Sequence, residues 1–276
     1  MLQTIDADVA VIMPHYNCAE FLPQAVQSIL LQRDVRLKLI FVDDCSPTSE
    51  WRTALAPFLG DERLAVLQTG RNVGPWRVDN WLFERLRTPY LAFQDADDFS
   101  DPERLRALLD ELEASRADIV GSDYYEISET GEILRLRTMP RDVNRALARG
   151  RDHAILHGAV LMRRSVLERL GGLDGTDPYL GADTDFALRA SFVARMRNLA
   201  RPLYFYRRRA NSLTQSKETG FDSVARKAYK ERMLREHRRR RSAALWGLLL
   251  PRRWRRPPSL ANRPNDVEVE IFPVAG

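Results

Sequence analysis

The fold is decided by residues 8–42, which read DVAVIMPHYNCAEFLPQAVQSILLQRDVRLKLIFV. An apolar run at 8–13 ends at Pro14, and residues 19–32 then carry apolar side chains at the spacing of one helix face. A second apolar run follows at 37–42. This order predicts a strand, a helix and a second strand, with the two strands parallel in one sheet.

The same alternation continues further along the chain. Apolar runs at 64–67, 90–93 and 118–121 predict strands, and segments 76–86 and 102–115 have helical spacing. The expected fold class is therefore α/β, with a Rossmann-like, mostly parallel sheet flanked by helices.

Beyond residue 121 the pattern changes. Short strands are expected at 124–128, 133–137 and 159–162, and helices at 164–170 and 183–194. These elements predict a second subdomain, continuous with the first, so the body at 1–220 divides into halves at 1–121 and 122–220.

Length and composition exclude several classes of protein. The chain has 276 residues, of which 44% are hydrophobic and 29% charged, which excludes collagen-like, low-complexity and wholly disordered chains. No run approaches the ~20 apolar residues that span a bilayer, and the start resembles no secretory signal. Two cysteines, Cys18 and Cys45, suit a reducing compartment. We therefore expect a cytoplasmic protein.

The net charge of +5 is the sum of a strongly basic segment and a slightly acidic remainder. Residues 226–256 hold thirteen Lys/Arg and two Glu, a net charge of +11, so the rest of the chain carries −6. A basic tail at 221–276 is therefore expected, beginning as a helix and poorly ordered towards its Pro- and Arg-rich end.

The tail allows more than one interpretation. Its arginines, with Leu245, Trp246 and residues 248–250, predict peripheral attachment to an anionic membrane surface on the inner face of the cytoplasmic membrane. Packing against the body, or pairing of two subunits in a homodimer, is the alternative. Nucleic-acid binding is not expected, because the run lacks interleaved aromatic residues.

Polar side chains follow four of the predicted strands. They lie at 14–17, 43–44, 71–74 and 95–98. In an open parallel sheet, ligands bind beyond the carboxyl ends of the strands. One Asp-Asp pair after a strand is usually a helix cap, but four such clusters predict a binding site.

Three carboxylates within four residues need a source of positive charge. Asp95, Asp97 and Asp98 repel one another, and hard carboxylate oxygens favour Mg or Mn over zinc. Such ions keep positions for phosphate oxygens, so the implied ligand is a diphosphate. A solvated loop that caps the next helix is the alternative for Asp98 and Asp101.

Five motifs occur in a characteristic order: VIMPHYN at 11–17, VDDCS at 42–46, RNVG at 71–74, FQDADD at 93–98 and GADTD at 181–185. Over about residues 8–215 the chain resembles the family-two inverting glycosyltransferases, which have the GT-A fold. The resemblance implies transfer of a hexosyl or N-acetylhexosaminyl group from a nucleotide-sugar, favouring UDP, to a glycan or lipid-linked acceptor hydroxyl. It also implies a place in cell-envelope polysaccharide biosynthesis.

By this resemblance, five residues bind the nucleotide. Pro14, Tyr16 and Asn17 line the pocket, with Tyr16 flanking the base. Asp44 accepts a hydrogen bond from the base edge, which favours uracil. Arg71 is a further donor-site cation, or else a surface arginine.

The resemblance also assigns the sugar and diphosphate region. Asp95 approaches the ribose or the donor sugar, and Asp97, helped by Asp98, holds a divalent cation on the diphosphate. Where the family often has histidine, this chain has Arg209, which can bind phosphate directly. The negative charge of the leaving diphosphate is therefore expected to be neutralised either by a divalent cation or by Arg209.

Asp183 matches the catalytic base of the family. It opens the predicted helix 183–194 after Gly181, and inverting transfer needs a base opposite the leaving group. Asp185 is given a supporting role, and Ala182 replaces a glutamate that the family often has. A non-catalytic member that binds nucleotide-sugar or glycan is the alternative, and a nucleotidyltransferase is a second.

Other residues of chemical interest are assigned no catalytic role. His153 and His157 lack a nucleophile motif and metal-ligand spacing, so we interpret them as structural or acceptor-contact residues. Trp76 and Trp81 share a helical face and are expected in the core.

Overall fold

The computed structural model describes residues 6–151, 153–174, 177, 179–210, 212–249 and 271–273, with side chains up to 243. Its strands are Val9–His15 (β1), Leu37–Asp43 (β2), Leu64–Thr69 (β3), Tyr90–Phe93 (β4), Phe99–Ser100 (β5), Ile119–Ile127 (β6), Ile133–Arg137 (β7), Leu161–Arg163 (β8), Met196–Arg207 (β9) and Ile271–Pro273 (β10). Its helices are Leu22–Leu30 (α1), Glu50–Leu55 (α2), Pro75–Arg85 (α3), Arg104–Ala114 (α4), Val143–Ala148 (α5), Ser165–Leu170 (α6), Ala182–Ala190 (α7) and Val224–Leu249 (α8).

The described strands form one sheet in the order β10-β3-β2-β1-β4-β8-β6-β9-β5, with β7 paired to β6. Strands β3, β2, β1 and β4 run parallel, as the alternation of strand and helix predicts. Strand β8 joins this parallel unit to β6 by antiparallel pairing on both sides. The second half of the chain therefore continues the sheet of the first.

Strand β1 shows how the sheet is buried. Val9, Val11 and Met13 belong to the hydrophobic cluster that includes α1 and α4. Ala10 and Ile12 face the cluster on the other side, which includes α3, α6 and α7. Because successive side chains point to opposite faces and both are covered, the strand is a continuous apolar run.

Helix α8 packs on the body over its first half. Tyr229 and Met233 are buried and belong to the larger core cluster. The Tyr229 hydroxyl donates to Asp174 Oδ2 at 3.2 Å. The segments on the two sides of the predicted boundary at residue 220 therefore share a core. That residue 220 is a domain boundary stays a prediction.

The part of the tail that the sequence predicts to contact a membrane is only partly described. Within the described residues, none of the helices combines the length and apolarity needed to cross a bilayer. The side chains of Leu245, Trp246 and residues 248–250 lie outside the described part of the chain.

Candidate active site

The carboxyl ends of the four parallel strands carry the polar clusters that the sequence singled out. The loop after β1 holds Tyr16 and Asn17, and the segment after β4 holds the three aspartates. Parallel strands end at one sheet edge, so these loops share one side of the molecule.

The loop after β1 is fixed by His15. Its Nε2 accepts from the backbone N–H of Cys18 at 3.2 Å, so the proton lies on Nδ1, which donates to Asp43 Oδ1 at 3.0 Å. Ser46 Oγ donates to the same carboxylate at 2.6 Å. Tyr16 then projects from this anchored loop with 48% of its surface exposed, free to contact a flat ligand.

Asp44 is buried and ties β2 to the loop after β3. Oδ1 accepts from the N–H of Val73 at 2.9 Å and from Thr69 Oγ1 at 3.0 Å, and Oδ2 accepts from the N–H of Gly74 at 2.7 Å. Burial raises the pKa of this carboxyl. Three of its roughly four acceptor positions are thus used, which leaves about one for a ligand.

The loop after β3 lies against the segment that precedes α7. Gly74 has φ +84, a conformation that favours glycine, and α3 starts directly after it. Tyr179 donates from its hydroxyl to Asn72 Oδ1 at 2.7 Å. Arg71 is exposed on the same loop. The predicted nucleotide-binding residues are therefore brought to one edge, with Tyr179 as an addition that no motif indicated.

The three aspartates after β4 have different surroundings. Burial, with the nearby Asp97 carboxylate, raises the pKa of Asp95 to about 7. Burial raises the pKa of Asp98 well above its usual range, and Asp98 Oδ1 accepts from the backbone N–H of Arg207 at 2.7 Å. One oxygen of Asp98 is thus bound to the backbone of β9, and its predicted role as a metal ligand stays a prediction.

Arginine side chains supply positive charge to this cluster. Arg209 forms an ion pair with Asp97 and donates to its carboxylate. Arg207 donates from Nε to the backbone carbonyl of Asp97 at 2.8 Å. Arg104 lies fully buried beneath, donating to the carbonyls of Phe93 at 3.1 Å and Gly158 at 2.8 Å. The charge that the sequence argument assigned to a metal is in part provided by these side chains.

The donor set still fits a hard cation, but with one carboxylate. Within the described residues, no three His, Cys, Asp or Glu side chains converge as a metal site. Asp97 offers carboxylate oxygens at the cleft, whereas Asp98 is engaged by β9. Mg²⁺ and Mn²⁺ commonly bind through one or two carboxylates together with substrate phosphates, so Asp97 alone is sufficient only when a diphosphate is present.

Asp183 lies in the first turn of α7, after Gly181 in the left-handed conformation at φ +49. Its carboxylate makes no hydrogen bond or ion pair with any residue that the structure describes, and it is only half-buried. Asp95, His157 and Arg226 all lie within its electrostatic range. A carboxylate without a hydrogen bond in the described part of the chain, at a helix N-terminus and within electrostatic range of Asp95, is suited to accept a proton.

Asp185 has a different role on the same helix. It is buried and pairs with Arg189, whose Nε donates to Oδ2 at 2.7 Å. Arg189 also donates to the carbonyls of Leu170 at 3.2 Å and Gly172 at 2.7 Å. The pair fastens α7 to the turn after α6, which is the supporting role expected for Asp185.

Helix α8 contributes a residue that the motifs did not indicate. Arg226 donates to the backbone carbonyls of Tyr179 at 3.3 Å and Leu213 at 3.4 Å, and also to that of Thr219. It thereby joins the segment before α7 to the loop after β9, beside Asp183. In the sequence, Arg226 lies in a basic segment, and no pattern there separates it from arginines that are simply exposed to solvent.

Residues 10–171 match the family model described as "Glycosyl transferase family 2". The chain belongs to glycosyl transferase family 2. This confirms the resemblance drawn from the five motifs.

Curated relatives agree with this assignment. The chain is 28% identical over 218 residues to the uncharacterised glycosyltransferase EpsJ of Bacillus subtilis (strain 168), covering 75% of this chain and 63% of EpsJ. It is 31% identical over 129 residues to the succinoglycan biosynthesis protein ExoO of Rhizobium meliloti (strain 1021), covering 47% of this chain and 36% of ExoO. The chain thus spans less than two thirds of the length of these relatives.

Solved structures share the fold. Residues 1–349 of S. aureus TarS in complex with UDP-GlcNAc superpose with a TM-score of 0.59 at 18% identity, covering 74% of this chain and 59% of that chain. The mannosyltransferase PcManGT of Pyrobaculum calidifontis, in complex with GDP-Man and Mn²⁺, gives a TM-score of 0.54 at 19% identity, covering 74% and 57%. These likenesses confirm the α/β GT-A fold.

Proposed function

We propose that this chain is an inverting glycosyltransferase that moves a hexosyl or N-acetylhexosaminyl group from a UDP-sugar to a hydroxyl of a glycan or lipid-linked acceptor. The observation that carries the proposal is the unpartnered carboxylate of Asp183 at the start of α7, in electrostatic reach of Asp95. Polysaccharide biosynthesis is the proposed context, since ExoO is named for succinoglycan biosynthesis.

The nucleotide would bind across the ends of β1, β2 and β3. Tyr16 is exposed and would stack on the base, with Pro14 and Asn17 beside it. Asp44 retains about one acceptor position, which suits the imide N–H of uracil. Arg71 would contribute positive charge near the phosphates.

The leaving diphosphate would lie between Asp97 and Arg209. A divalent cation, Mn²⁺ or Mg²⁺, would be held by Asp97 and when bound would neutralise the developing charge. Arg209 would exchange its ion pair with Asp97 for two parallel hydrogen bonds to phosphate oxygens. PcManGT was solved with Mn²⁺, which is consistent with such an ion in this fold.

Asp183 would act as the catalytic base. The acceptor oxygen forms a bond to the anomeric carbon while the bond from that carbon to the diphosphate oxygen breaks, and the acceptor proton passes to the Asp183 carboxylate. Attack from the face opposite the leaving group inverts the anomeric configuration. Arg226 would hold the surrounding loops in place through their carbonyls.

A panel of UDP-glucose, UDP-galactose, UDP-N-acetylglucosamine and GDP-mannose tests the function, with and without Mn²⁺. A donor at 100 times its dissociation constant adds about 2.7 kcal/mol of stability, and turnover releases the nucleoside diphosphate. Stabilisation without turnover, with or without added acceptors, would favour a non-catalytic binding protein. Release of pyrophosphate from a nucleoside triphosphate and a sugar phosphate would favour a nucleotidyltransferase.

We also propose that α8 holds the protein at an anionic membrane surface. Arg235, Arg238 and Arg239 are exposed, and each cation near such a surface contributes about 1 kcal/mol. The triple variant Arg235→Glu, Arg238→Glu and Arg239→Glu tests this without disturbing Tyr229 and Met233 in the core. Wild-type protein should sediment with phosphatidylglycerol vesicles at low salt and be released at high salt. If wild type stays in the supernatant, as the triple variant should, the membrane role is wrong.

A further inference from the structure

Three buried polar atoms meet near the cleft without a hydrogen-bond partner. Trp76 Nε1, Asp79 Oδ1 and His157 Nε2 have none among the residues that the structure describes. His157 Nε2 lies 3.7 Å from Asp79 Oδ2, which is too long for a hydrogen bond. The rings of Trp76 and His157 meet edge to face, with centroids 5.6 Å apart. Buried polar atoms are nearly always hydrogen-bonded to protein, water or a ligand, so three without a partner in one cluster set it apart from the rest of the core.

The cluster lies near both predicted sides of the cleft. His157 is within electrostatic range of both Asp95 and Asp183. The next residue, Gly158, packs against the donor side, where an added Cβ would lie 2.8 Å from Asp95 Oδ2 and 2.5 Å from Tyr204 Oη. The transferred sugar must span the distance from the diphosphate to the base, and it would therefore pass over His157.

His157 is held in one orientation. Its ring packs against that of Phe93, with centroids 4.1 Å apart and the planes tilted by 34°, and Asp79 faces its Nε2. The side chain keeps 13% exposure although Nε2 itself is buried, so another edge of the ring is the accessible one. Burial lowers the pKa of His157, but Asp79, Asp183 and Asp95 outweigh this effect and hold it above its usual value. A charged or neutral imidazole of this kind can donate a hydrogen bond.

We propose that His157, oriented by Asp79, hydrogen-bonds a hydroxyl of the transferred sugar and thereby contributes to the choice of donor. Asp79 is a positioning residue, because it faces the buried Nε2 of the imidazole rather than the accessible edge. The inference rests on the proposed function, because it needs a sugar between Asp95 and Asp183.

A purely structural role is the alternative, and His237 provides the matched control. This histidine is also buried, and neither of its ring nitrogens has a partner among the described residues. Its ring lies 5.3 Å from that of Phe192, which follows the end of α7, whereas Asp183 starts α7 at the cleft. The nine residues of α7 separate these ends by about 13 Å.

The experiment measures dissociation constants of UDP-sugar and of UDP by calorimetry for wild type, His157→Gln, Asp79→Asn and His237→Gln. Loss of one charge-assisted hydrogen bond should weaken the best UDP-sugar of the panel about 10-fold in the first two variants. UDP affinity should change less than about 2-fold, and His237→Gln should change neither. Equal weakening of both ligands, or no weakening, would overturn the sugar contact.

Deoxy analogues of the donor provide a second measurement that does not depend on the variants folding. In wild type, one deoxy-sugar should bind about 10-fold more weakly than its parent sugar. In His157→Gln, that same analogue should lose no further affinity, because the partner of its missing hydroxyl is already absent. If no single hydroxyl matters in wild type, the inference is wrong although the chain is still a transferase. If wild type binds neither UDP nor any UDP-sugar, the proposed function fails as well.

Discussion

Two histidine–aspartate pairs differ sharply in how their polar atoms are used. His15 and Asp43 lie 3.0 Å apart with 1% and 0% side-chain exposure, and both ring nitrogens are hydrogen-bonded. His157 and Asp79 lie 3.7 Å apart with 13% and 2% exposure, and atoms on both are unpartnered. The first pair has all of its ring nitrogens hydrogen-bonded within the protein and anchors a loop. The second pair leaves polar atoms without a partner among the described residues, and it is the pair that we propose contacts the sugar.

The same contrast separates the two sides of the cleft. Asp44, on the proposed nucleotide side, has most of its acceptor positions filled by backbone N–H groups and Thr69. Asp183, on the proposed acceptor side, has no hydrogen bond or ion pair within the described residues. A carboxylate whose acceptor positions are filled by protein groups stabilises the loops. A carboxylate without protein partners does not contribute in this way, and it is available to a substrate.

The largest effect is expected at Asp183. Asp183→Asn should lower turnover by about 10² to 10⁴, the usual contribution of a general base, while donor affinity stays near wild type. Because the carboxylate makes no scaffold contact, the midpoint of thermal unfolding should hardly move. Steady-state transfer assays with matched unfolding curves check both statements.

Asp185→Asn is the contrasting variant two residues away. It weakens a buried ion pair with Arg189, so it should reduce stability more than Asp183→Asn does. Transfer by Asp183→Asn at close to the wild-type rate would show that the base lies elsewhere.

Replacement of His15 in the His15–Asp43 pair should reduce stability. His15→Ala removes the bonds to Asp43 and to the Cys18 N–H and leaves a buried carboxylate with fewer partners. The free energy of unfolding should fall by about 2 to 4 kcal/mol, measured by urea denaturation. A change below about 1 kcal/mol would mean that the network around Asp43 does not fix this loop.

The Asp97–Arg209 pair is intermediate, since its carboxylate is partnered by a side chain that a diphosphate could displace. Asp97→Ala should weaken donor binding about 10-fold with Mn²⁺ present and less with chelator present, by calorimetry. Wild-type activity that is unaffected by chelator would contradict the metal role of Asp97 and would leave Arg209 as the neutralising group.

The sequence predicts the parallel half of the sheet well because its strands are buried on both faces. Strand β4 occupies the predicted residues 90–93, and the loops after the parallel strands carry the expected polar groups. Strand β9 was missed, because Arg201 and Pro202 interrupt its apolar pattern where the register with β6 shifts. Periodicity cannot detect a strand whose side chains alternate poorly.

The sequence predicts which types of residue form the site, but not which of their oxygen atoms are already hydrogen-bonded within the fold. Motifs marked Asp98 as a metal ligand, yet only coordinates show that Oδ1 is bound to the Arg207 N–H. Arg104 was missed, although its place four residues before Leu108, on the apolar stripe of α4, could have indicated a buried arginine. His157 and Asp79 are 78 residues apart in sequence, so no local pattern relates them.

The smallest effect concerns His237, which is buried beside Arg240 and Arg241 without a carboxylate to hold its charge. Burial, followed by these arginines, lowers its pKa to about 4 from the usual 6.5. Between these values the unfolded chain binds more protons than the folded one, so stability is fully present above pH 6.5 and is lost as the pH falls towards 4. From pH 7.5 to 6 the loss should be about 0.8 kcal/mol. Urea midpoints of wild type and His237→Gln at both pH values measure it, since every other titrating group is common to the two proteins. Identical pH dependence in the two would show that His237 has the same pKa in the folded and the unfolded chain, and that its burial does not keep it neutral.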